Sequence, residues 1–304
     1  MKNSIYIMAY LLKNSTVKVA EMMEKQKTLA KSAFLSGIAL HTGARATMRM
    51  VPAEANTGIV FRRIDLPGAP EVRALANNVV DARRGTTIGT GSAIVYTVEH
   101  VMAAFHAYGI DNAIVEMDGQ ELPIADGSSL PYVQMIEDGG IQELDAEAQY
   151  FTPDRICFVE DGATKLVIVP HDKLEISCIT SFKGCPFDPQ YYELTVTAES
   201  YRKELCGART FVQYSDLQQL LSMGLARGGS LDVAAILHEG AIICKDELRY
   251  ENEIVRHKIL DLIGDLFLCG RRVRGKVIAI KPGHSKNVEL AGMLQKMIAA
   301  SANQ

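Results

Sequence analysis

The chain has 304 residues, of which 48% are hydrophobic, and it carries 32 basic and 36 acidic side chains for a net charge of −4. This length fits about two domains with large hydrophobic cores, which excludes a disordered chain. The small negative charge, the low aromatic content and the lack of Trp argue against a nucleic-acid surface, so we expect no nucleic-acid partner.

Two features of the chain bear on its compartment. Six cysteines lie far apart and none has the two-residue spacing of a structural zinc site, so we expect reduced thiols in a cytoplasmic protein. The apolar run at residues 5–12 is about half of a bilayer span, and no signal-peptide cleavage site follows it. We therefore predict no stable membrane insertion, and a disordered extension over residues 1–22 with Met22 or Met23 as an alternative start.

From Thr28 onwards the first half of the chain has the pattern of strands and tight turns, followed by helices. Alternating apolar residues predict the strands, and glycines mark the turns between them. Thr97 and His100 stand at the entry to the first helix. The predicted elements are strands at 33–35, 46–51 and 59–62, a hairpin at 86–96, a helix over 101–106, a strand at 112–117 and a helix over 130–138.

The second half repeats the same order of strands and then helices. Apolar periodicity lapses between residues 139 and 153 and acidic residues accumulate there, so this segment is predicted to be a linker. We place a first domain at 23–148 and a second at 149–304, and predict an α+β fold in which helices back each sheet. The predicted elements are strands at 156–160, 165–169 and 174–179, helices at 215–223 and 253–269, and a strand at 275–280.

The helix predicted over residues 253–269 is apolar around most of its circumference but carries three ionisable residues. His257, Asp261 and Asp265 recur at intervals of four and therefore lie on one stripe. A buried carboxylate needs an ion pair, a proton or a metal. A His/Asp pair at this spacing can bind one cation, whereas catalytic zinc takes three protein ligands. The stripe alone is more typical of a solvated or salt-bridged helix face.

Two other places in the chain carry suitable chemistry. Glu99 and His100 together offer an imidazole for a metal and a carboxylate that could take a proton from water. His284 lies in a predicted glycine-containing loop, where Asp265 could hold it protonated as an acid or an oxyanion partner. Each of these features by itself also fits an ordinary structural role.

A series of short motifs runs in order from about Gln26 to Leu294. They are Leu40-His41-Thr42-Gly43, Asn56-Thr57-Gly58, Thr97-Val98-Glu99-His100, Gly109-Ile110-Asp111-Asn112, Pro123-Ile124-Ala125-Asp126-Gly127-Ser128, Ala208-Arg209-Thr210-Phe211, Gly228-Gly229-Ser230, Arg249-Tyr250-Glu251-Asn252-Glu253, Arg256-His257-Lys258 with Asp261 and Gly264-Asp265, and Gly283-His284. In this order they resemble the UDP-3-O-acyl-N-acetylglucosamine deacetylases, zinc enzymes of lipid A biosynthesis.

The resemblance implies two similar α+β domains packed as a β-α-α-β sandwich, with a metal site between them. It implies one Zn²⁺ per chain, held by His100, His257 and Asp261, with Fe²⁺ as an alternative in the cell. The implied reaction is hydrolysis of the N-acetyl group of UDP-3-O-[(R)-3-hydroxyacyl]-N-acetylglucosamine to the free amine and acetate.

Roles for individual residues follow from the same resemblance. Glu99 is implied to be the general base, and His284, oriented by Asp265, to protonate the leaving amine. Thr210 is implied to help stabilise the tetrahedral oxyanion, and Lys258 to contact polar groups of the substrate.

The resemblance also implies how the amphiphilic UDP-sugar substrate is bound. Phe182 and Lys183 correspond to contacts with the uridine diphosphate, and Lys281 to a contact with a phosphate. Phe211 and Ser230 complete the implied substrate-binding set. The walls of an apolar acyl passage are expected at residues 157–169 and 226–236. We further expect a monomer in the cytoplasm, of the Gram-negative bacterial or plant-organelle type.

Two alternatives remain open at this point. One is a zinc amidase of the same fold that acts on another acylated amino sugar. The other is a catalytically silent relative, against which the intact set of candidate residues argues. This set comprises Glu99, His100, His257, Asp261 and His284.

Overall fold

A computed structural model describes residues 24–182, 185–186 and 188–302, so the extension predicted at 1–22 lies outside the described residues. The strands are β1 (Lys25–Leu29), β2 (Ala33–Ile38), β3 (Arg45–Pro52), β4 (Ile59–Arg63), β5 (Glu71–Arg73), β6 (Val79–Asp81), β7 (Thr87–Thr90), β8 (Ala93–Val95), β9 (Ala113–Met117), β10 (Ile141–Glu147), β11 (Tyr150–Phe151), β12 (Cys157–Asp161), β13 (Thr164–Val169), β14 (Leu174–Thr180), β15 (Gln190–Thr195), β16 (Thr210–Gln213), β17 (Ala234–His238), β18 (Ala241–Ile243), β19 (Arg272–Val273) and β20 (Gly275–Ile280). The α-helices are α1 (Glu99–Tyr108), α2 (Leu130–Gly139), α3 (Ala198–Glu204), α4 (Tyr214–Ser222), α5 (Glu253–Phe267) and α6 (His284–Ser301).

Two five-stranded sheets with the same topology form the outer layers of the protein. The strand order is β2-β3-β9-β4-β5 in the first sheet and β12-β13-β20-β14-β15 in the second. Each sheet is antiparallel except for one parallel pair at the same place, β4 with β9 and β14 with β20. The α+β prediction with two similar halves is therefore confirmed.

The helices lie on the inward faces of these sheets. Helix α5 packs on β14 and β15, α6 packs on β12 and β13, and α2 packs on β2. Helices α1 and α5 pack against each other in the centre. Both are buried along almost their whole length because they are apolar on nearly every side. The central helix pair places the start of α1 beside the middle of α5.

Each half carries an insertion between its fifth strand and its central helix. In the first half, the insertion is the three-stranded sheet β6-β7-β8. In the second half it consists of α3, α4 and the sheet β16-β17-β18. The repeated core thus supplies the frame, while the two insertions differ in size and composition.

Several segments differ from the sequence-based prediction, among them strands β15 to β18, which were not predicted. The middle of the predicted linker forms β10, which pairs antiparallel with β1. His284 begins helix α6 instead of lying in a loop, because extended Gly283 serves as its N-cap and the chain after it continues as a helix. Helix α3, opened by a capping box at Thr197, was not predicted. The domain bounds 23–148 and 149–304 stay a prediction.

A buried arginine ties the two halves together near the start of the described chain. The Arg272 guanidinium donates to both carboxylate oxygens of Asp111, at 2.8 and 2.6 Å, and to the Gly109 carbonyl at 2.6 Å. It also donates to Glu24 Oε1 at 2.8 Å, which fixes the first described residue beside β19. This ion pair is buried and charge-assisted, so losing one partner would leave an uncompensated charge.

The remaining global predictions concern thiols and membranes. All six cysteines are free in the structure. None of the helices in the described ranges is both long and apolar enough to cross a bilayer.

Candidate metal and catalytic site

The site is built where helices α1 and α5 touch most closely. Gly264 faces the start of α1, and a Cβ at this position would lie 2.0 Å from the Glu99 carbonyl oxygen. Only glycine permits this approach, which brings Glu99 and His100 against the stripe of polar residues on α5. The stripe predicted from the spacing of four therefore faces α1, not solvent.

Three buried side chains converge at this contact. The Nε2 atoms of His100 and His257 lie 3.7 and 3.4 Å from the same Asp261 oxygen, Oδ1. One ligand atom from each of the three residues lies within 4.8 Å of the others. Asp261 Oδ1 is buried and has no hydrogen-bond partner. An unpaired carboxylate oxygen beside two imidazole nitrogens is what a divalent cation would satisfy, so this donor set fits a metal.

Both imidazoles are held neutral, as metal ligands must be. Burial lowers the pKa of His100 to about 3, and burial also lowers the pKa of His257. His257 Nδ1 donates to the Ala208 carbonyl oxygen at 3.0 Å, which leaves Nε2 free on the side of Asp261. A backbone partner of this kind fixes the orientation of a ligating histidine.

Lys258 keeps the third member of the cluster ionised. Its Nζ donates to Asp261 Oδ2 at 2.8 Å, and both side chains are buried. Burial opposes the charge on each, but their mutual attraction raises the pKa of Lys258, and His257 with Lys258 holds the pKa of Asp261 well below its usual range. One carboxylate oxygen thus pairs with Lys258 while the other stays available.

Glu99 lies next to this cluster without being part of it. Its Oε2 accepts a hydrogen bond from the Thr86 backbone N–H at 2.9 Å, and its Oε1 lies 4.0 Å from His284 Nε2. Burial raises the pKa of Glu99 to about 7. A carboxylate with this pKa can both accept and release a proton near neutral pH.

His284 faces Glu99 from the start of α6. Its Nδ1 donates to Asp265 Oδ2 at 2.9 Å, and its Nε2 lies 3.7 Å from Asp261 Oδ2. Burial lowers its pKa, but Asp265 and Asp261 outweigh burial and raise the pKa of His284 to about 9. His284 therefore carries a proton at neutral pH.

Two residues that orient this histidine were missed by sequence reasoning. The Thr86 hydroxyl donates to Asp265 Oδ1 at 2.5 Å, and Asn287 Nδ2 donates to Asp265 Oδ2 at 2.9 Å. Asn287 could have been found from its spacing of three from His284, had α6 been predicted. Thr86 gave no comparable signal, because its contacts cross 179 residues of sequence.

A cavity of about 460 Å³ opens in front of these groups. Thr210, Phe211, Phe182 and Ser230 line it together with the metal cluster, Glu99, Lys258 and His284. Asp265 is fully buried behind His284, and Lys281 is exposed and is not a lining residue. The part of the lining that comes from residues 217–236 is mostly apolar, and we call it the apolar branch of the cavity; its apolar side chains are Leu217, Leu221, Ala226, Leu231 and Ile236.

A neighbouring cavity of about 820 Å³ is more polar. It shares Arg84 and His284 with the first cavity and adds Arg227 and Lys286. Arg84 Nη1 lies 3.1 Å from Asp216 Oδ2 on α4, so an ion pair joins the two halves at this edge. Basic side chains here give the polar cavity the charge that an anionic ligand requires.

Of the two segments that the sequence predicts as walls of an acyl passage, one lines the first cavity, and its use by an acyl chain stays a prediction. Residues of 226–236 line the apolar branch, but none of 157–169 does. Strands β12 and β13 lie at the edge of the second sheet. Their alternate residues enter the core or lie on the outward face, and Asp161 and Thr164, beside the turn between the two strands, line the neighbouring polar cavity instead.

Several motif residues form the frame of the site without lining the metal cluster. Glu121 accepts hydrogen bonds from the His41 and Thr42 backbone N–H groups, both at 2.8 Å. Arg209 Nε donates to Glu253 Oε1 at 2.9 Å inside the protein, anchoring the strand that carries Thr210 to the first turn of α5. These hydrogen bonds and the ion pair give a structural role to the motifs that contain His41 and Arg209, which the sequence left open.

Comparison with known proteins identifies related sequences over nearly the whole described chain. The family model for UDP-3-O-acyl N-acetylglycosamine deacetylase matches residues 26–296. A UDP-3-O-acyl-N-acetylglucosamine deacetylase from Geobacter sp. (strain M21) is 43% identical over 271 residues, which is 89% of each chain. Those from Myxococcus xanthus (strain DK1622) and Chlamydia felis (strain Fe/C-56) are 42% and 41% identical, covering 87% and 88% of this chain and 84% and 96% of theirs.

Proposed function

The chain belongs to the UDP-3-O-acyl N-acetylglycosamine deacetylase family, and from this premise we propose how its residues perform the reaction. The protein is a hydrolase that removes the N-acetyl group of a UDP-3-O-acyl-N-acetylglucosamine in lipid A biosynthesis. The observation that carries our assignment of the site is the buried cluster of His100, His257 and Asp261, with its unpaired carboxylate oxygen.

We assign the metal of this site as Zn²⁺. Two neutral imidazoles and one carboxylate form a three-ligand set of the kind that catalytic zinc sites use, with Fe²⁺ as the competing ion. When bound by His100, His257 and Asp261, the ion would supply Lewis-acid chemistry to the amide carbonyl and to water.

Glu99 is the proton acceptor for the attacking water. Glu99 lines the cavity, with Oε2 held by the Thr86 N–H and Oε1 on the side of His284. The raised pKa makes it basic enough to take the proton of water as the oxygen attacks the acetyl carbon. The carbonyl π bond then opens, and its oxygen gains a negative charge that the Thr210 hydroxyl stabilises.

His284 is the proton donor to the leaving nitrogen. Because Asp265 holds Nδ1, the Nε2–H points to the same cavity as Glu99. As the C–N bond breaks, the nitrogen takes the Nε2 proton and leaves as the amine, while the acetyl group leaves as acetate. Lys258 holds Asp261 in place, and its remaining protons can serve polar groups of the sugar.

The two cavities match the two ends of an amphiphilic substrate. The branch lined by Leu217, Ala226 and Ile236 is apolar and suits the acyl chain. The basic cavity with Arg227 and Lys286 suits the diphosphate. The uridine diphosphate contact of Phe182, the phosphate contact of Lys281 and the cytoplasmic location stay predictions, and Lys183 lies outside the described residues.

The direct test combines metal analysis with a deacetylation assay. We expect about one Zn²⁺ per chain in the parent enzyme, and loss of turnover with a chelator that returns when Zn²⁺ is added. Asp261→Ala should lose both metal and activity, because a ligand is removed. Glu99→Ala should keep the metal but lose about 10²- to 10⁴-fold in kcat, because a proton acceptor is removed.

The pair of variants separates the two roles. A Glu99→Ala protein that loses its zinc would show that Glu99 is a ligand and would refute the base assignment. An Asp261→Ala protein with normal zinc would refute the metal site. Equal turnover of the UDP-linked sugar with and without its 3-O-acyl chain would contradict the use of the apolar branch.

A further inference from the structure

A third cavity, of about 190 Å³, is lined from both halves of the chain and shares no lining residue with the two cavities described above. Its floor is apolar and includes Met102 of α1 and Phe267 of α5, both buried. Phe267 is the last residue of α5 and lies six residues after Asp261, about 9 Å along the helix axis. We call this space at the end of α5 the rear cavity.

The walls of the rear cavity come from two sequence motifs that contribute no residue to the deacetylase site. Asn56-Thr57-Gly58 forms one wall, and Asp111 with Asn112 forms another. Gln26 joins them, because its Oε1 accepts from the Asn56 backbone N–H and from Asn112 Nδ2, both at 2.9 Å. Asn112 Oδ1 in turn accepts from the Gly58 N–H at 3.0 Å. Hydrogen bonds between its own walls therefore hold the cavity in shape.

Two arginines, one from each half, enter this cavity. Arg73 ends β5, and Arg271 lies in the connection between α5 and β19. The two segments touch, since the Ala76 N–H donates to the Leu268 carbonyl at 2.7 Å. Within residues 24–182, 185–186 and 188–302, the hydrogen bonds of Arg73 and Arg271 with side chains go to their backbone carbonyls and leave both guanidinium groups without a partner.

The positive charge of these two arginines is not balanced inside the cavity. Among the lining residues that the structure describes, Asp111 is the one carboxylate, and both of its oxygens accept from Arg272. Arg272 and Lys27 carry two positive charges against two negative charges on Asp111 and Glu24, so this group is neutral. The two cavity arginines therefore leave a surplus of two positive charges.

The remaining polar side chains of the rear cavity supply further hydrogen-bond donors. Asn56 Oδ1 is taken by Gln26 Nε2 at 2.9 Å, which leaves Asn56 Nδ2 as a donor. Thr57 and Gln149 also line the cavity and can each donate from the side chain. Guanidinium groups bind phosphate through paired N–H donors, and a dianion would balance both charges, whereas a single carboxylate would balance one.

We propose that the rear cavity binds a phosphate dianion, either inorganic phosphate or a phosphate monoester, between Arg73 and Arg271. The anion accepts from both guanidinium groups, and the apolar floor strengthens these contacts because it lowers the local dielectric constant. Since one arginine belongs to each half, the bound anion ties the halves together and stabilises the folded enzyme. The site is separate from the deacetylase reaction.

Thermal unfolding of the full chain, with phosphate added at constant ionic strength, tests this site. We expect the Tm of the parent protein to rise with phosphate and then to level off, because the ligand binds the folded state. In the double variant Arg73→Gln, Arg271→Gln, the rise should be lost or should require about tenfold more phosphate. Turnover in phosphate-free buffer should be equal in the two proteins, so this outcome is independent of the deacetylase assignment.

A matched double variant removes the same charge elsewhere. Arg45 and Arg155 are exposed and line none of the three cavities. Arg45→Gln combined with Arg155→Gln should keep the response of the parent. Glycerol 3-phosphate in place of inorganic phosphate distinguishes the two sources, because the ligand that acts at the lower concentration is the one that the cavity fits.

Four results would overturn the proposal. A Tm that does not respond to either ligand would show that the rear cavity binds no phosphate. An equal response without the two cavity arginines would place the anion elsewhere, and a response that is lost in Arg227→Gln alone would place it in the polar cavity beside His284. An equal loss in the matched double variant would show that only the net charge of the protein matters.

Discussion

The two halves of the molecule share one topology but place different chemistry on equivalent helices. Helix α1 of the first half begins with Glu99 and His100, while α5 of the second half carries His257 and Asp261 in its interior. Neither half alone holds three candidate ligands. A repeated scaffold thus gives rise to an asymmetric site, and the packing of α1 on α5 is the step that completes it.

The largest expected effect concerns α6, which follows the central strand of the second sheet as α2 follows that of the first. Helix α6 begins with His284, whereas the equivalent helix α2 begins with Leu130. We expect His284→Ala to lower kcat by about 10²- to 10⁴-fold with metal content unchanged, because the proton donor to the amine is lost. Elemental analysis and the deacetylation assay measure both, and unimpaired turnover would refute the acid role.

The contact between the halves can be broken at its closest point. Gly264→Ala would force α1 and α5 apart, because the new Cβ would lie 2.0 Å from the Glu99 carbonyl oxygen. Overpacking of this kind costs about 1–3 kcal/mol of unfolding free energy, and the shifted Glu99 and His100 should also reduce metal binding.

A glycine elsewhere supplies the matched control. At Gly292 on α6, a Cβ would meet only the Ala76 methyl group at 3.9 Å. Gly292→Ala should be neutral or stabilising in urea unfolding, since alanine favours a helix. If both variants behaved alike, the close approach of the helices would not control the site.

The titration of His106 tests how the stability of the contact between α1 and α5 depends on pH. His106 on α1 donates from Nδ1 to the Ile263 carbonyl of α5 and accepts from the Val273 N–H at Nε2. Burial lowers its pKa from 6.5 to about 4. The unfolded chain therefore binds this proton more tightly than the folded one, so the stabilisation by neutral His106 is complete above pH 6.5 and is lost as the pH falls toward 4.

The expected loss over this interval is on the order of 3 kcal/mol of unfolding free energy. His106→Gln should flatten the dependence of stability on pH between 4 and 6.5, although the variant is less stable overall. Urea unfolding at several pH values measures this slope. An unchanged slope would mean that other groups cause the acid sensitivity.

The smallest expected effect concerns the outward face of the first sheet. Glu116→Gln removes the shared partner of Arg49 and Arg62. Because these ion pairs are largely at the surface, we expect a loss below about 1 kcal/mol that disappears at high salt. A loss of several kcal/mol would show that these ion pairs contribute more to stability than surface charges normally do.

Local patterns predicted much of the frame and part of the site. The apolar stripe around His257, Asp261 and Asp265 placed α5 and its polar residues on one face, and the structure places that face against α1. The same patterns failed at β10, where acidic residues conceal a strand, and at α6, where polar residues follow the glycine that caps the helix. In both places contacts with distant parts of the chain determine the structure, and the local composition does not reveal these contacts.

Local sequence patterns could not predict that the residues of the site come together in space. His100 lies more than 150 positions from His257 along the chain, and the Thr86 hydroxyl reaches Asp265 across 179 residues. Only the order of the motifs, through the family resemblance, connected them. These distant residues meet because Gly264 lets α1 and α5 approach each other and because of the strand order of the two sheets. A short stretch of sequence contains neither piece of information.

The insertion of the second half has a consequence for the evolution of substrate range. The apolar branch of the cavity is lined by Leu217, Leu221, Ala226, Leu231 and Ile236, which all belong to this one insertion, while the hydrolytic groups except Thr210 belong to the repeated core. If the acyl chain binds there, as proposed above, its length preference would depend on one contiguous segment of the chain. Changes in this segment would then alter the acyl preference while leaving Glu99, His284 and the candidate metal ligands in place.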